Sequence, residues 1–255
     1  MMTSGGAPRT AIILAAGRGV RLGRLTAERP KCLIEVGAKS LLAHSLDHLE
    51  RAGLREAIVV TGHAAAVLGE ALDNWTGGMR IVALPTPDYE TRGSMGSLLT
   101  AIECTGTRSA LLLESDLLYH PDFLAAALSS ESSTILTADV SGSGDEVYVR
   151  ADDDGRLEFL GKTGGASRPA ASVGEFAGIS LLREPIPAMY AERARAWLAA
   201  GRIDAHYEEV LLDLARDGNP IQVRHCPSLP WTEVDNLDDL HRAEKLVWPR
   251  LLAAD

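Results

Sequence analysis

The first half of the chain alternates short apolar segments with segments of helical periodicity. Apolar runs without a polar face predict strands that are buried on both sides, and an apolar residue every three to four positions predicts a helix. The predicted strands are 11–15, 57–61, 80–84 and 110–114, and the predicted helices are 41–49, 63–72, 94–103 and 121–128. Strand followed by helix, four times over, predicts a Rossmann-like α/β fold, a mixed and mostly parallel sheet with helices on both faces.

After about residue 130 the chain becomes richer in strands. Strands are predicted at 134–140, 146–151, 157–161, 175–182 and 221–225, and helices at 186–198, 205–215 and 236–247. The sequence Asp152–Gly155 is typical of a hairpin turn. No Ser- or Pro-rich linker divides the chain, so we expect a flexible terminus at 1–9 and a single domain at 10–255, with halves 10–130 and 131–255.

Composition and charge exclude several classes of protein. The 255 residues include 35 acidic and 25 basic side chains, a formal charge of −10, which argues against a non-specific nucleic-acid binder but permits a small anionic ligand. Cys32, Cys104 and Cys226 have the spacing of neither a disulfide framework nor a zinc site. No apolar run approaches the roughly 18 residues of a membrane helix, and the first eight residues lack a signal-peptide core. We therefore expect a cytoplasmic protein without nucleic-acid or membrane partners, and monomer and homodimer both remain open.

A glycine-rich loop follows the first predicted strand. Its residues are Leu14, Ala15, Ala16, Gly17 and Gly19. Glycines at such a position let backbone amides approach a phosphate chain without a Cβ in the way. The loop is therefore a candidate nucleotide-binding element.

Two alternatives to this interpretation remain. Gly17, Gly19 and Gly23 approximate the dinucleotide-binding fingerprint, but that motif opens a helix directly and is followed about 20 residues later by an acidic residue. Here a polar stretch continues to Pro30, and Glu35 lies in an extended apolar run. Dinucleotide binding is therefore the second interpretation, and a glycine-rich turn without a ligand is the third.

Basic residues cluster in and just after the loop, against the acidic balance of the whole chain. They are Arg18, Arg21, Arg24, Arg29 and Lys31. The pattern L-A-A-G-x-G-x-R, followed after eight residues by Pro-Lys and an apolar run, resembles the signature of nucleotidyltransferases that attach a nucleotide to a sugar phosphate or phospho-alcohol. The resemblance implies their nucleotide-diphospho-sugar transferase type of fold, with residues 10–130 binding the nucleotide and 131–255 the acceptor. It also implies that Arg21 and Lys31 are catalytic and neutralise charge on the reacting phosphates.

Two aspartates are candidates for a metal site. Asp116 follows the strand at 110–114, at the carboxyl end of a buried parallel strand, where ligands collect in such sheets. A carboxylate together with substrate phosphates suits Mg²⁺. The resembling family has its second metal-binding aspartate in a W-x-E-x-D stretch, which implies Asp235. The simpler alternatives are that Asp116 begins a turn and that Asp235 caps the last helix.

The resemblance also implies a reaction. An acceptor phosphate or phosphonate oxygen attacks the α-phosphorus of a nucleoside triphosphate, and pyrophosphate leaves. Because the acceptor oxyanion is already a nucleophile, no Ser-His-Asp or Cys-His arrangement is required, and no histidine is assigned a role.

Later segments indicate the acceptor. The element Gly-Glu-Phe-Ala-Gly-Ile at 174–179 resembles one in cytidylyltransferases that act on phosphocholine, inositol phosphate and phosphonates. The likeness implies that Glu175 lies near the acceptor body and that Lys162 is a catalytic residue that grips the acceptor's phosphate. Tyr207 and Glu208 lie in a stretch that resembles an acceptor-contacting segment of the same group, and Trp231 is a further candidate. Without the family pattern, Lys162 is an ordinary exposed lysine and Tyr207 a helix core residue.

The base of the nucleotide is predicted from two segments. The L-A-A-G form of the loop is commoner in family members that use CTP or UTP, and we choose CTP. Base recognition is expected within 89–97, where the family often has an asparagine pair and this chain has Arg92, Gly93, Ser94 and, further on, Ser97. The phosphocholine enzymes match less well here, which favours an unusual acceptor such as a phosphonate.

Three functions therefore remain open. The first is Mg²⁺-dependent transfer of CMP from CTP to a phospho-alcohol or phosphonate. The second uses UTP or GTP with a sugar 1-phosphate, and the third is a nucleotide-binding module without turnover. The presence of all four implied catalytic and metal-binding residues disfavours the third; these are Arg21, Lys31, Asp116 and Asp235.

Overall fold

The computed structural model describes residues 8–162 and 172–253. Residues 1–7, most of the terminus that the sequence predicts to be flexible, lie outside the described residues. Pro8 is buried, and the carbonyl of Arg9 accepts a hydrogen bond from the backbone N–H of Arg55 at 2.8 Å. Pro8 and Arg9, which precede the predicted start of the domain at residue 10, are therefore in contact with the rest of the fold.

The strands follow the apolar and β-branched runs of the sequence. In chain order they are β1 Thr10–Ala15, β2 Glu35–Val36, β3 Lys39–Ser40, β4 Glu56–Thr61, β5 Arg80–Pro85, β6 Ala110–Glu114, β7 Leu117–Tyr119, β8 Ser133–Ala138, β9 Tyr148–Ala151, β10 Leu157–Gly161, β11 Gly174–Leu182, β12 Ile221–His225 and β13 Trp231–Glu233. Every strand predicted above is present, with ends that differ by at most two residues. Of the four further short strands, β2 and β13 lie in segments whose sequence indicates an extended chain, whereas β3 and β7 are additions.

The helices agree with the predicted periodicity. They are α1 Leu41–Arg51, α2 Ala65–Asp73, α3 Gly93–Thr105, α4 Asp122–Leu128, α5 Ile186–Ala199, α6 Tyr207–Arg216, α7 Leu237–Arg242 and α8 Trp248–Leu252. The last predicted helix continues beyond residue 247, because a π-helical turn at Ala243–Val247 joins α7 to α8 and Pro249 lies in the first turn of α8, where proline is tolerated. None of the helices in the described ranges is long and apolar enough to span a membrane.

The parallel part of the sheet has the predicted architecture. Among the described residues the main sheet contains nine strands, and β6, β1, β4 and β5 lie side by side and parallel. Parallel neighbours require crossover connections, which α1, α2 and α3 supply. Ile12 and Ile13, adjacent in β1, belong to different hydrophobic clusters on the two faces of the sheet. The prediction of a mixed, mostly parallel sheet covered on both faces is confirmed.

The second half of the chain extends this sheet with antiparallel strands. β11 pairs antiparallel with β6, β8 and β9, and β12 pairs parallel with β8. β9 and β10 form the hairpin predicted from the turn sequence, and the N–H of Gly155 donates to the carbonyl of Asp152 at 3.0 Å. The sheet is therefore continuous across both halves of the chain.

Candidate active site

The predicted loop begins where β1 ends. Leu14 is half-buried and Ala15 and Ala16 are buried, so the start of the loop is anchored in the core. The carbonyl of Ala16 accepts a hydrogen bond from the backbone N–H of His63 at 3.0 Å. Gly17 follows, exposed, with open space where a side chain would extend. The anchored start holds the exposed glycine backbone at the carboxyl end of the sheet.

Gly19 turns the loop back toward Lys31. Its φ is +58°, and its carbonyl accepts a hydrogen bond from Oγ1 of Thr26 at 2.7 Å. A Cβ on Gly19 would lie 3.1 Å from the Cβ of Lys31. The absence of a side chain at Gly19 therefore lets the loop pack directly on the lysine.

Lys31 lies at the centre of the candidate site. It begins a 3₁₀ turn that directly follows Pro30. Its Nζ contacts one carboxylate oxygen of Asp116 and one of Asp235. The exposed fractions of these three side chains are 13%, 10% and 13%. Burial alone would lower the pKa of Lys31, but the two carboxylates outweigh it and raise the pKa above its ordinary value. A buried ammonium ion thus joins the two predicted metal ligands.

A short antiparallel ladder brings the two aspartates together. Asp116 immediately precedes β7, Asp235 is the second residue after β13, and these two strands pair with each other. The N–H of Val234 donates to the carbonyl of Asp116 at 3.0 Å, which extends the pairing toward the site. Asn236, rather than Asp235, caps α7 by accepting hydrogen bonds from two backbone N–H groups of the first turn. The carboxylate of Asp235 is therefore not used as a helix cap.

Two glutamates that the sequence reasoning missed complete a carboxylate cluster. Oxygens of Glu114, Asp116 and Glu233 lie within 4.8 Å of one another. Burial, together with the negative charge of Asp116, raises the pKa of Glu114 to about 8 and that of Glu233 well above its ordinary value. Glu114 is the last residue of β6, two residues before Asp116, and Glu233 is the glutamate of the W-x-E-x-D stretch. These two positions in the sequence could have identified Glu114 and Glu233 as candidate metal ligands.

The cluster fits a hard divalent cation. Carboxylate oxygens are the preferred ligands of Mg²⁺ and Ca²⁺ in proteins. Within the described part of the chain, Oδ1 of Asp116 is buried and has no hydrogen-bond partner, an arrangement that costs free energy when nothing compensates it. A dication would also favour the ionised forms of Glu114 and Glu233, which the crowded carboxylates disfavour. The residues present therefore suit such an ion.

An aspartate that the sequence did not indicate joins the other two predicted cations. Asp145 accepts a hydrogen bond from Nη1 of Arg21 at 2.5 Å and another from Nζ of Lys162 at 2.6 Å. Arg21 also donates through Nη2 to Asp235 at 2.6 Å. Burial acts in the opposite direction, but Lys162 and Arg21 lower the pKa of Asp145 below its ordinary value. The three predicted catalytic cations thus belong to one chain of ion pairs, from Lys162 through Asp145, Arg21 and Asp235 to Lys31.

Two of the predicted acceptor residues are engaged in structural contacts. Glu175 accepts hydrogen bonds from the backbone N–H of Ser141 at 2.6 Å and from its Oγ at 3.1 Å. Trp231 is buried in the core on one face of the sheet, and its indole N–H donates to the carbonyl of Asp139 at 3.4 Å. Both residues hold the segment between β8 and β9, which carries Asp145.

Besides Lys162, the remaining two predicted acceptor residues are on α6 and lie beside the carboxylate cluster. Tyr207 is 1% exposed and donates from its hydroxyl to Oε1 of Glu114 at 3.0 Å. Burial raises the pKa of Glu208, and among the described residues its Oε2 atom is buried without a hydrogen-bond partner. The geometry thus joins Tyr207 to the cluster and leaves one oxygen of Glu208 uncommitted.

The predicted base-recognition segment is divided between surface and core. Arg92 is exposed and forms an ion pair with Asp88 at 3.2 Å. Gly93 begins α3 with φ +56°, and a Cβ there would lie 2.6 Å from the carbonyl oxygen of Ala205. The close approach of the segment before α6 therefore requires glycine at this position.

The two serines of that segment lie within α3. The Oγ of Ser94 accepts a hydrogen bond from the backbone N–H of Tyr207 at 3.0 Å, while Ser97 is buried and donates to the carbonyl of Gly93 at 3.4 Å. The first contact joins the start of α3 to α6, and the second lies within the first turn of α3. A role for Arg92, Gly93, Ser94 and Ser97 in nucleotide binding stays a prediction.

A known family of proteins matches most of this chain. Residues 11–216 match the model of the MobA-like NTP transferase domain. The match covers most of the chain, and the chain therefore belongs to this family of nucleotidyltransferases. The resemblance inferred from the loop and the Pro-Lys pair is confirmed.

Three curated relatives differ in the part of the chain that they match. CMP-5'-(3-aminopropyl)phosphonate synthase of Streptomyces rubellomurinus is 31% identical over 93% of this chain and 38% of its own length. N-acetylmuramate alpha-1-phosphate uridylyltransferase of Caulobacter vibrioides is 49% identical over 26% of each chain. 2-Aminoethylphosphonate cytidylyltransferase of Lancefieldella rimae is 26% identical over 60% of this chain and 61% of its own. The chain thus spans less than two thirds of the length of each relative.

Solved structures support the fold. The inositol-1-phosphate CTP transferase of T. maritima superposes with a TM-score of 0.77 at 20% identity, covering 95% of this chain and 98% of its own. The CTP:phosphocholine cytidylyltransferase of Streptococcus pneumoniae has a TM-score of 0.74, also at 20% identity, covering 93% and 99%. At this level of identity the likeness establishes the Rossmann-like nucleotidyltransferase fold.

Proposed function

We propose that this chain transfers CMP from CTP to an oxygen of a small phosphonate or phospho-alcohol acceptor and releases pyrophosphate. The observation that carries the proposal is the chain of ion pairs that places Arg21 and Lys31 beside the carboxylate cluster, below the glycine-rich loop. A relative named for a CMP-phosphonate product matches 93% of the chain and supports both the base and the acceptor class.

In this proposal the cations act on the phosphates. Arg21 and Lys31 neutralise charge on the triphosphate, and Lys162 grips the phosphonate of the acceptor. An ionised acceptor oxygen attacks the α-phosphorus in line, the bond from that phosphorus to the leaving pyrophosphate breaks, and no proton has to be removed from the nucleophile. The protein contributes by positioning and by stabilising negative charge, the usual means of accelerating phosphoryl-type transfer.

We propose Mg²⁺ as the metal ion, held by Asp116 with Asp235 and with the neighbouring Glu114 and Glu233. When bound, it supplies positive charge and orientation to the triphosphate. The buried and unpartnered Oδ1 of Asp116 supports a ligand role for this residue among the described ones. Asp235 would orient Lys31 and Arg21 in addition, since it contacts both.

Uridylyl transfer to a sugar 1-phosphate is the second candidate function. Its support is the 49% identity to the N-acetylmuramate alpha-1-phosphate uridylyltransferase, which is confined to about a quarter of the chain. The phosphonate relatives match a longer part of the chain at lower identity. We therefore place cytidylyl transfer first. The single domain at 10–255, its two binding halves, the monomeric or dimeric state and a cytoplasmic location stay predictions.

The test is a matrix of pyrophosphate release with Mg²⁺. Each of five nucleoside triphosphates is combined with 3-aminopropylphosphonate, 2-aminoethylphosphonate, phosphocholine, inositol phosphate, glucose 1-phosphate or N-acetylmuramate 1-phosphate. Release with CTP and a phosphonate alone supports the proposal. Release with UTP and a sugar 1-phosphate establishes the second function, and nucleotide binding without release from any combination overturns both.

A further inference from the structure

The carboxylate of Asp145 bridges two cations that the proposed function assigns to different substrates. One oxygen accepts from Arg21 at 2.5 Å, and the other accepts from Lys162 at 2.6 Å. Arg21 is assigned to the triphosphate and Lys162 to the acceptor. Asp145 therefore lies where phosphate oxygens of both substrates are required to meet.

A carboxylate in this position resembles a substrate phosphate to the two cations. Two oxygens on one atom, each accepting a charge-assisted hydrogen bond, are the arrangement in which arginine and lysine recognise phosphate and carboxylate alike. Arg21 and Lys162 cannot form the same bonds with Asp145 and with a substrate at once. The Asp145 contacts and the substrate contacts are therefore in competition.

The ion pairs of Asp145 are exposed, in contrast to those of Lys31. Arg21 and Lys162 are 50% and 54% exposed and Asp145 is 35% exposed, whereas Lys31 and both of its partners are nearly buried. Exposed ion pairs contribute little to stability, while buried pairs are costly to break. The outer pairs are therefore the ones that a substrate can replace.

The backbone beside Asp145 lies outside the described strand ladders, and the first backbone hydrogen bond to the sheet after it is at Val147, whose carbonyl accepts from the N–H of Phe176 at 2.8 Å. Residues 139–147 connect β8 to β9, and the N–H of Asp145 is bonded only weakly, to the Oγ of Ser143 at 3.3 Å. The N–H of Ser143 in turn donates to Oγ of Ser141, which Glu175 holds. The loop is thus fixed at Ser141, and the part that carries Asp145 is held by local side-chain contacts.

We propose that Asp145 is a positioning residue that holds Arg21 and Lys162 in place as a stand-in for substrate phosphate and gives them up when the substrates bind. This inference rests on the proposed function for the identity of the two substrates. Asp145 thereby lowers the affinity of the site for anions, because every phosphate or phosphonate that reaches the two cations has to displace its carboxylate.

The test compares Asp145→Asn with Glu146→Gln. Glu146 is the adjacent acid of the same loop, and its carboxylate accepts from the N–H of Gly144 at 3.1 Å with no ion-pair partner in the described ranges. Both variants remove one negative charge, so their difference isolates the contacts to Arg21 and Lys162. Dissociation constants for inorganic pyrophosphate and for 3-aminopropylphosphonate are measured by calorimetry, with circular dichroism to verify folding.

Asp145→Asn is expected to bind both anions three- to tenfold more tightly than Glu146→Gln, which is expected to resemble the wild type. Equal or weaker binding by Asp145→Asn overturns the stand-in role. Because the pyrophosphate measurement needs no turnover, the two proposals fail separately. Tighter pyrophosphate binding without CTP turnover rejects only the proposed function, whereas turnover with unchanged anion affinity rejects only the role of Asp145.

Discussion

The hydroxyl of Tyr207 donates a hydrogen bond to Oε1 of Glu114 at 3.0 Å, which ties the first residue of α6 to the last residue of β6. The tyrosine is almost fully buried, and its ring packs 6.3 Å from that of Phe176. It therefore orients a carboxylate of the candidate metal site. The sequence predicts Tyr207 as an acceptor contact, and the structure gives it this second, supporting role.

Tyr207→Phe is expected to weaken metal binding. Partners that orient a metal-binding carboxylate typically contribute 10- to 100-fold to metal affinity, so the loss is about tenfold. The measurement is titration of the protein with Mn²⁺ followed by electron paramagnetic resonance. Tyr190→Phe is the control, because Tyr190 is also buried but donates to the carbonyl of Met95. Equal metal affinity in the two variants contradicts the role of Tyr207.

Lys31→Ala is expected to lose at least two orders of magnitude in kcat. It removes the cation that lies between Asp116 and Asp235, and preorganised charge is usually the largest contribution to such catalysis. Breaking a buried ion pair also lowers the free energy of unfolding by about 3 kcal/mol. Lys39→Ala breaks an exposed pair with Asp47, and we expect turnover close to that of the wild type.

Steady-state kinetics and urea denaturation of the two lysine variants distinguish catalysis from stability. A Lys31→Ala protein that is folded at the assay temperature and turns over normally shows that Lys31 has no catalytic role. If Lys31→Arg recovers stability but not turnover, the position of the charge is required in addition to its sign.

The sequence predicted the centre of the main sheet because β1, β4 and β6 are buried on both faces and are encoded by uninterrupted apolar runs. The family resemblance and a strand end also placed Lys31, Asp116 and Asp235 in one site, and Lys31 does contact both aspartates. Glu114 and Glu233 were missed because the local sequence around a carboxylate at a strand end does not show which other carboxylates lie near it in the fold. Only the pairing of β7 with β13, two strands more than a hundred residues apart, creates their proximity.

Asp145 was missed for a related reason. It lies in a polar loop whose sequence resembles any solvated turn, and its two cation partners are 124 and 17 residues away in the chain. For Trp231, Ser94 and Ser97, a family position suggested a ligand contact, and that role stays a prediction. The structure shows packing and helix-start contacts that periodicity alone could not separate from binding.

Glu175→Gln is expected to change the pH dependence of stability. Burial, with a smaller contribution from Glu146, raises the pKa of Glu175 to about 7 despite the hydrogen bonds from Ser141. The folded protein therefore binds this proton more tightly than the unfolded chain, whose glutamates titrate near 4.5. The contribution of this bound proton to the free energy of unfolding is complete below about pH 4.5 and is lost as the pH rises through about 7. The total loss is about 3 kcal/mol.

Glutamine remains neutral, so the variant lacks this loss. The free energy of unfolding of Glu175→Gln minus that of the wild type is therefore expected to increase by that same amount from pH 4 to pH 8. Urea denaturation at both pH values measures the difference, and Glu158→Gln, an exposed acid on β10, provides the control. A wild-type–variant difference that does not change with pH contradicts the buried, protonated state of Glu175.

Gly37→Ala is expected to destabilise the packing of the C-terminal helices. Gly37 has φ +69°, and a Cβ there would lie 2.6 Å from the indole ring of Trp248. Gly106→Ala is the matched control, because Gly106 has φ +60° and open space around it. Both variants carry backbone strain of about 1 kcal/mol, and the clash adds about 2 kcal/mol to the first. Thermal denaturation that gives equal losses for the two variants contradicts the Gly37–Trp248 contact.

The central claim is that this site joins CMP to a phosphonate. The most direct measurement is ³¹P nuclear magnetic resonance of the wild-type protein with Mg²⁺, CTP and 3-aminopropylphosphonate. The account predicts pyrophosphate and a new phosphonate–phosphate anhydride in equal amounts, both absent when Mg²⁺ is withheld. An unchanged phosphonate resonance, in a sample where UTP and a sugar 1-phosphate do react, would contradict it.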